Sequence, residues 1–414
     1  MATYYLSPSG NDSTGTGAIG SPWKTLNKAW TAVAAGDTIY LRGGTHAYDH
    51  MQYLQLRNGT AGNLIKIWGY PGETAVITRS GSYAVVPGVD QDLIYCEGNY
   101  LHWQDLEIAN FAQLVGETTW SAFRFGDSSN CIFRRINYHD NMASMSIRGA
   151  SSNNLIEDCD FYRNSDPYGS DGLGTDAWDG ADGLQINFCS GNGNIIRNCR
   201  AWWNCDDGFD VWENLGMVTI ENCWSFYNGY KPGTFDTAGN GSGIKLGSTT
   251  GTDINTKYRT VTNCIVHKNR SFGIVENQLL GKSDIFNNTV SESGVYGFWF
   301  GSWNASVASI TNNISYNDAA NEIVGNAVTT TNSWQGALSL TSEDFQSLDD
   351  SQLDNARNGD GTLPTITFMK LAAGSDLINA GTNVGLPYTG PAPDLGYAEY
   401  AASGSNTASL AWLF

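Results

Sequence analysis

Residues 155–164 read LIEDCDFYRN, and the same frame returns as IIRNCRAWWN (195–204), TIENCWSFYN (219–228) and TVTNCIVHKN (260–269). Each copy has an apolar residue, Asn or Asp two positions on, then an apolar slot, then Asn five further on. Weaker copies, DIFNNTVSES (284–293) and SITNNISYND (309–318), follow. Aligned on Ile156, Ile196, Ile220, Val261, Ile285 and Ile310, the steps are 40, 24, 41, 24 and 25 residues. The period is therefore near 24, with insertions around 165–180 and 229–240. A repeat of this length in a turn-rich chain predicts a right-handed parallel β-helix, in which coils stack at roughly 4.8 Å and one sequence position recurs as a vertical column.

Two columns follow at once. Asp158, Asn198, Asn222, Asn263, Asn287 and Asn312 form the first; Asn tolerates the left-handed backbone of a tight corner and can bond to its copy above, so an asparagine ladder is expected. Cys159, Cys199, Cys223 and Cys264 form the second. Stacked Cβ vectors point the same way, which is poor disulfide geometry, so these thiols are predicted to be interior packing.

Working outward, one domain is expected over residues 1–414: a cap and first strand in 1–45, stacked coils in 46–330, and irregular loops and a cap in 331–414. The segment SPWKTLNKAWTAVAAGDTIYLRGG has helical spacing at Leu26, Ala29, Trp30 and Val33, then a first strand at Thr38–Leu41. An open β-helix end exposes unpaired backbone, so a short capping helix makes sense there. PDLGYAEY (393–400) is expected to close the far end.

The 414 residues include 48 glycines, 12% aromatics and only 15% charged residues, a turn-rich β composition with little helix. The net charge of −19, without any Lys/Arg run, argues against a nucleic-acid or anionic-membrane partner. No stretch is long and apolar enough to span a bilayer. The N-terminus MATYYLSPSG lacks the basic and apolar regions of a signal peptide. A mature form with its signal removed is expected, secreted or held in the periplasm or at the cell surface, and monomeric.

Each coil has a further strand introduced by glycine: ADGLQIN, DDGFDVW, GSGIKLG, SFGIVEN and VYGFWFG. Because side chains alternate, the residue two past each glycine points outward. That column reads Gln185, Asp210, Lys245, Val275 and Trp299, and is extended downward through FRF and SMSIRG by Arg124 and Ser146. Just before the glycines stand Asp182, Asp207 and Ser242, with Asp206 beside them. A lone Asp-Gly is an ordinary turn former. Four carboxylates converging on two adjacent coils, with a lysine one coil above Asp210, are more than turn chemistry: they repel unless a cation intervenes. An all-oxygen cluster suits a hard ion, Ca²⁺ before Mg²⁺. The bland alternative for Lys245 is a salt bridge to Asp210.

GADGLQIN, then NCDDGFDVW, then GNGSGIKLG resembles polysaccharide lyase family 9, the group of single-domain β-helical pectate lyases. The resemblance implies Asp182, Asp206, Asp207 and Asp210 as calcium ligands, Lys245 as catalytic base, and an acidic plant cell-wall polysaccharide as substrate. Two positions depart from the family pattern. Asn187 stands near a slot that often holds a basic residue, and Ser248 replaces a second glycine. The loss of that base leaves the polymer open between pectate and rhamnogalacturonan. The implied reaction is β-elimination, with calcium on the uronate carboxylate and neutral Lys245 taking the carbon-5 proton. Substrate contacts are expected from Arg124, Arg148, Gln185 and Trp299; Trp299 and Tyr296 either stack sugar faces or pack as rungs.

Two rivals compete. A glycoside hydrolase on the same fold would need a general acid and a water-activating base, and the Gly-His-Gly segment of such families is absent around His46, His50, His102, His139 and His267. A non-catalytic, calcium-stabilised glycan-binding protein would use the same acids purely for structure.

Overall fold

The computed structural model describes residues 1–83, 91–247, 256–301, 306–323, 327–336 and 338–401; Ser248 lies outside them. Coils follow one plan, shown by the coil that carries Asp210: strand Asn194–Arg197, a corner, strand Arg200–Trp202, a turn, then strand Phe209–Asp210. Third strands stack into a ten-stranded sheet from Gln52–Leu54 to Glu322–Ile323, here called the site sheet; the other two strands of each coil belong to a twenty-stranded sheet. All ladders are parallel, and the predicted alignment is the observed register: Ile156 faces Ile196, and Ile220, Val261, Ile285 and Ile310 follow in turn. Their side chains are buried at each rung, so the apolar interior is one continuous column.

The asparagine column is more divided than the sequence predicts. Asp158, Asn198, Asn222, Asn263, Asn287 and Asn312 all take left-handed corners, with φ between 53° and 60°. The continuous amide ladder, however, runs through the next turn. Asn164 Nδ2 donates to Asn204 Oδ1 (2.8 Å), Asn204 to Asn228 (3.0 Å) and Asn228 to Asn269 (2.9 Å). Those four residues are fully buried, where an amide must find a partner. Several corner residues keep some contact with solvent, and only parts of that column bond, as in Asn198 to Asp158 (3.3 Å) and Asn312 to Asn287 (3.2 Å).

The cysteines behave as the spacing predicts. All eight are buried and free. In the column, Cys199 Sγ and Cys223 Sγ each donate to a carbonyl one coil below, Ile156 O and Ile196 O, at 3.5 Å.

Both chain ends differ from expectation. Strand Thr3–Leu6 precedes Thr38–Leu41 and pairs with it, so the sheet starts one strand earlier than the sequence predicts. The capping helix is short, Leu26–Trp30, with Thr25 as its N-cap; Val33 is buried in the turn beyond it. The helix is capped at Thr31, whose N–H donates to Lys28 O, and Gly36 (φ +87°) turns the chain into the next strand. PDLGYAEY does not close the far end. It lies along the flank, with Asp394 O accepting from Asn287 Nδ2, Gly396 N–H donating to Asn312 O, and Tyr397 N–H donating to Thr289 Oγ1. The C-terminal segment covers an apolar strip on the outer surface of the large sheet, where Trp202, Trp224, Phe226 and Ile265 pack with Phe345, Leu353, Phe368 and Leu395. Arg357 pins it by pairing with buried Asp160 (2.7 Å), which Arg200 also holds. Trp202 with Phe226 and Trp224 with Ile265 are rung partners on alternate positions of this sheet, and burial of the strip they form is what draws the segment sideways. At the far end Trp334 packs on Phe298, with ring centroids 5.0 Å apart.

Candidate metal centre and groove

The outward column of the site sheet is in the register that side-chain alternation predicts. Arg124 pairs with Ser146, and Gln185, Asp210, Lys245, Val275 and Trp299 follow, one per coil. The glycines beside it answer to close approach. A Cβ on Gly208 would stand 2.1 Å from Ser225 Oγ, and one on Gly243 would stand 2.3 Å from Val266 Cγ1, so the chain can cross the tube here only without a side chain.

Asp182, Asp207 and Asp210 converge, each offering an oxygen within 4.8 Å of the others. Each also uses one oxygen to fix the backbone. Asp182 Oδ1 accepts from Asp207 N–H (2.9 Å), Asp207 Oδ1 from Ser242 N–H, and Asp210 Oδ1 from Trp212 N–H (2.8 Å). The remaining oxygens are thereby aimed at a common point. Asp206 is held to one side, with its Oδ1 accepting from Asn240 N–H at 2.7 Å. Lys245 Nζ closes the cluster, 2.9 Å from Asp207 Oδ2 and 3.3 Å from Asp210 Oδ2. The ammonium therefore bridges two acids, where the bland reading expects a pair with Asp210 alone.

Burial shapes the titration. It pushes Asp182 well above the usual carboxylate range, reinforced by Asp210 and Asp207; it does the same to Asp206, reinforced by Asp207 and Asp182. Asp210 is pushed up to about 6 by burial, with the Lys245 charge pulling against it. For Lys245 burial disfavours the charge, but Asp207, Asp210, Asp206 and Asp182 outweigh it and hold the amine protonated. Four carboxylates against one ammonium leave the cluster short of positive charge, and the oriented oxygens are all hard donors. The residues present fit a metal ion held by Asp182, Asp207 and Asp210.

Asp182, Asp206, Asp210 and Lys245 line a groove of about 600 Å³, and fully buried Asp207 reaches it through Lys245. The family described as Pel9A-like, right handed beta helix region, matches residues 4–313. The chain belongs to this family. It is similar to pectate lyase PEL9 of Emericella nidulans, 32% identical over 397 residues that cover 91% of this chain and 94% of that one. Among solved structures it resembles pectate lyase Pel9A (TM-score 0.80, 30% identity, 97% of both chains) and a rhamnogalacturonan lyase (TM-score 0.79, 27% identity, 90% of this chain and 97% of that one). A Pel9A-like chain with these relatives is a polysaccharide lyase.

In this Pel9A-like groove, Arg148, Gln185 and Trp299 line the wall. Arg124 is outside the groove lining, tied to Asp92 at 3.3 Å two rungs below Gln185. Trp299 stacks on Phe272 (centroids 4.7 Å apart), and Tyr296 stacks on Phe272 too, the packed-rung arrangement. Asn187, where the family pattern favours a basic residue, joins a hydrogen-bonded chain. Arg148 Nε donates to Ser146 Oγ (2.8 Å), Ser146 Oγ to Asn187 Oδ1 (3.0 Å), Asn187 Nδ2 to Gln185 Oε1 (3.2 Å) and Gln185 Nε2 to Asp182 Oδ2 (2.6 Å). A cation from the neighbouring coil thus reaches the groove where position 187 supplies none.

Other residues went unnoticed in the sequence. The two insertions build walls: Asp166, Asp179 and Asn240 line the groove, and Asn240 Nδ2 joins the insertions through Asp179 Oδ1 at 2.5 Å. Burial pushes Asp166 up to about 6, although Cys205 Sγ and Thr119 Oγ1 donate to it. Trp212 could have been found by carrying the alternation two residues past Asp210, just as Asn187 stands two past Gln185. Arg259, fully buried, gave no signal; its guanidinium donates to Leu246 O (2.7 Å), Gly216 O (2.7 Å) and Asn214 O (2.8 Å), tying down the backbone just beyond Lys245 and Asp210.

Proposed function

We propose that this lyase is calcium-dependent and cleaves a uronate-containing pectic polymer, pectate or rhamnogalacturonan, by β-elimination. Asp182, Asp207 and Asp210 hold the calcium, with Asp206 alongside, and Lys245 is the base. The observation that carries the reading is Lys245 Nζ, itself lining the groove, 2.9 Å and 3.3 Å from two of three converging carboxylates. When bound, calcium withdraws charge from the sugar carboxylate and so acidifies the adjacent carbon-5 proton.

The residues of the chain supply the rest. Neutralising the acids with a cation weakens the field that keeps Lys245 charged, so its amine can accept a proton at Nζ. As the carbon-5 proton moves to Nζ, the carbon 4–carbon 5 double bond forms and the glycosidic oxygen leaves carbon 4. Arg148 provides positive charge on a wall that is otherwise acidic, which favours an anionic chain despite the net charge of −19. The reading extends to an acidic plant cell-wall polysaccharide met outside the cell, and to a monomer. Among the described residues no helix is long and apolar enough to cross a membrane.

The test is a panel of pectate, methylated pectin, rhamnogalacturonan and alginate, followed by ultraviolet absorbance with calcium and with EDTA. Unsaturated ends that appear on a pectic polymer with calcium and vanish with EDTA are the expected result. Saturated reducing ends without a metal requirement would replace the reading by hydrolysis; no cleavage of any polymer would favour binding alone.

A further inference from the structure

Strand Leu184–Cys189 carries an irregularity beside the metal cluster. Ile147 pairs with Ile186, but Gly149 pairs with Cys189, so one extra residue sits in this strand opposite Arg148. The bulge breaks the alternation. Cys189 turns inward and is fully buried, whereas Phe188 is 48% exposed with φ +50°. Bulky left-handed residues recur at the corners of this chain, Trp203 (φ +55°) and Tyr227 (φ +58°) among them, but Phe188 takes this conformation at a bulge, and bulges near active sites re-aim side chains. What the bulge aims is an aromatic ring at the groove.

Its neighbours complete a platform. Trp212, 37% exposed, meets Phe188 edge to face with centroids 5.3 Å apart, and the Arg148 guanidinium lies 5.5 Å over the Phe188 ring. All three line the groove, and Trp212 N–H is bonded to Asp210, so the platform adjoins the cluster directly. Apolar rings left in water next to a cation suit a ligand with a carbon–hydrogen face and polar rim, which describes a pyranose.

We propose that Phe188 and Trp212 form a sugar-binding subsite, in which a pyranose ring of the polymer next to the unit at the metal cluster lies in the angle between the two rings, inclined at 77°, and turns its polar edge toward Arg148. The inference rests on the lyase reading above. It explains why the chain tolerates an exposed, left-handed phenylalanine at this place.

The experiment compares Phe188→Ala, Phe188→Gly and Trp212→Leu with the unaltered protein on whichever pectic polymer it cleaves. KM is expected to rise at least about fivefold in each variant, with kcat changed less than KM and calcium affinity, measured by calorimetry, unchanged. Glycine at 188 takes the left-handed conformation readily, so that variant should unfold at a temperature no lower than the unaltered protein while still losing affinity. In Lys245→Ala protein, which keeps the groove, binding of an oligosaccharide of the same polymer should weaken by a similar factor when Phe188→Ala is added. An unchanged KM, or a Phe188→Gly protein that unfolds earlier and keeps its KM, overturns the subsite and makes Phe188 a packing residue. A loss traced wholly to calcium affinity overturns it as well. If the unaltered protein cleaves no pectic polymer, the lyase reading itself fails, and the subsite with it.

Discussion

The same coils carry two kinds of column. On the large sheet, position after position repeats one residue: cysteine at 159, 199, 223 and 264, asparagine at 164, 204, 228 and 269. Each asparagine satisfies the next, amide to amide, while each of Cys199 and Cys223 gives its Sγ to an isoleucine carbonyl one coil below. On the site sheet the outward column changes at every rung, from Gln185 to Asp210 to Lys245 to Val275 to Trp299. Its members do not bond as copies; they converge around a gap that an ion and a substrate fit. A uniform column marks stacking, and a varied column at the same spacing marks chemistry.

The comparison breaks most sharply at Lys245. Replacing it by Ala should lower lyase activity by about a thousandfold, the loss of a general base, while the protein stays folded. A rate left intact under ultraviolet assay would mean that the varied column is not catalytic. Next, Asp207→Asn should weaken calcium binding by more than about tenfold, since even an outer-shell partner is worth that much. Calorimetry showing equal affinity would remove the metal centre.

Asn228→Ala tests the opposite column. It breaks buried bonds to Asn204 and Asn269 and should cost about 1–3 kcal/mol of stability by denaturant unfolding. Calcium affinity of the folded protein should be unchanged, and a shift there would blur the division between the columns.

The pH response sharpens it further. Asp210 is pushed up to about 6 and Asp182 and Asp206 also upward, so without calcium the folded state binds more protons than the unfolded chain above the ordinary carboxylate range. Stability of the chelated protein should therefore fall as pH rises from about 4 through 6, and Asp166 adds to the same slope. Calcium at pH 7 should restore what was lost; a chelated protein that gains stability over that range would contradict the cluster. The smallest effect concerns the thiols. With eight free, buried cysteines, a reducing agent should leave the melting temperature where it was.

Much of this was legible because repetition carries long-range information. Ile156 and Ile196 are 40 residues apart in sequence, an insertion beyond one period, yet the recurring motif sets them side by side, and the same alignment orders the rungs of the site column. The acids and Lys245 were found in this way, without any contact being visible. Asp206 shows the limit. Sequence puts it with the other three acids, and it lines the same groove, but the oxygens that converge within 4.8 Å of one another are those of Asp182, Asp207 and Asp210.

Whatever repeats could be read from the residues alone: the coil, its register, the inward thiols and the wall that bears the acids. Tertiary structure alone decided the rest. The insertions fold over the groove, a one-residue bulge turns Phe188 outward, buried Arg259 gathers carbonyls from separate loops, and the C-terminal segment lies along the flank instead of closing the end. None of these obeys a period. Each is settled by which apolar surface or unpaired polar group happens to be near once the coils have stacked, and that proximity exists only in three dimensions.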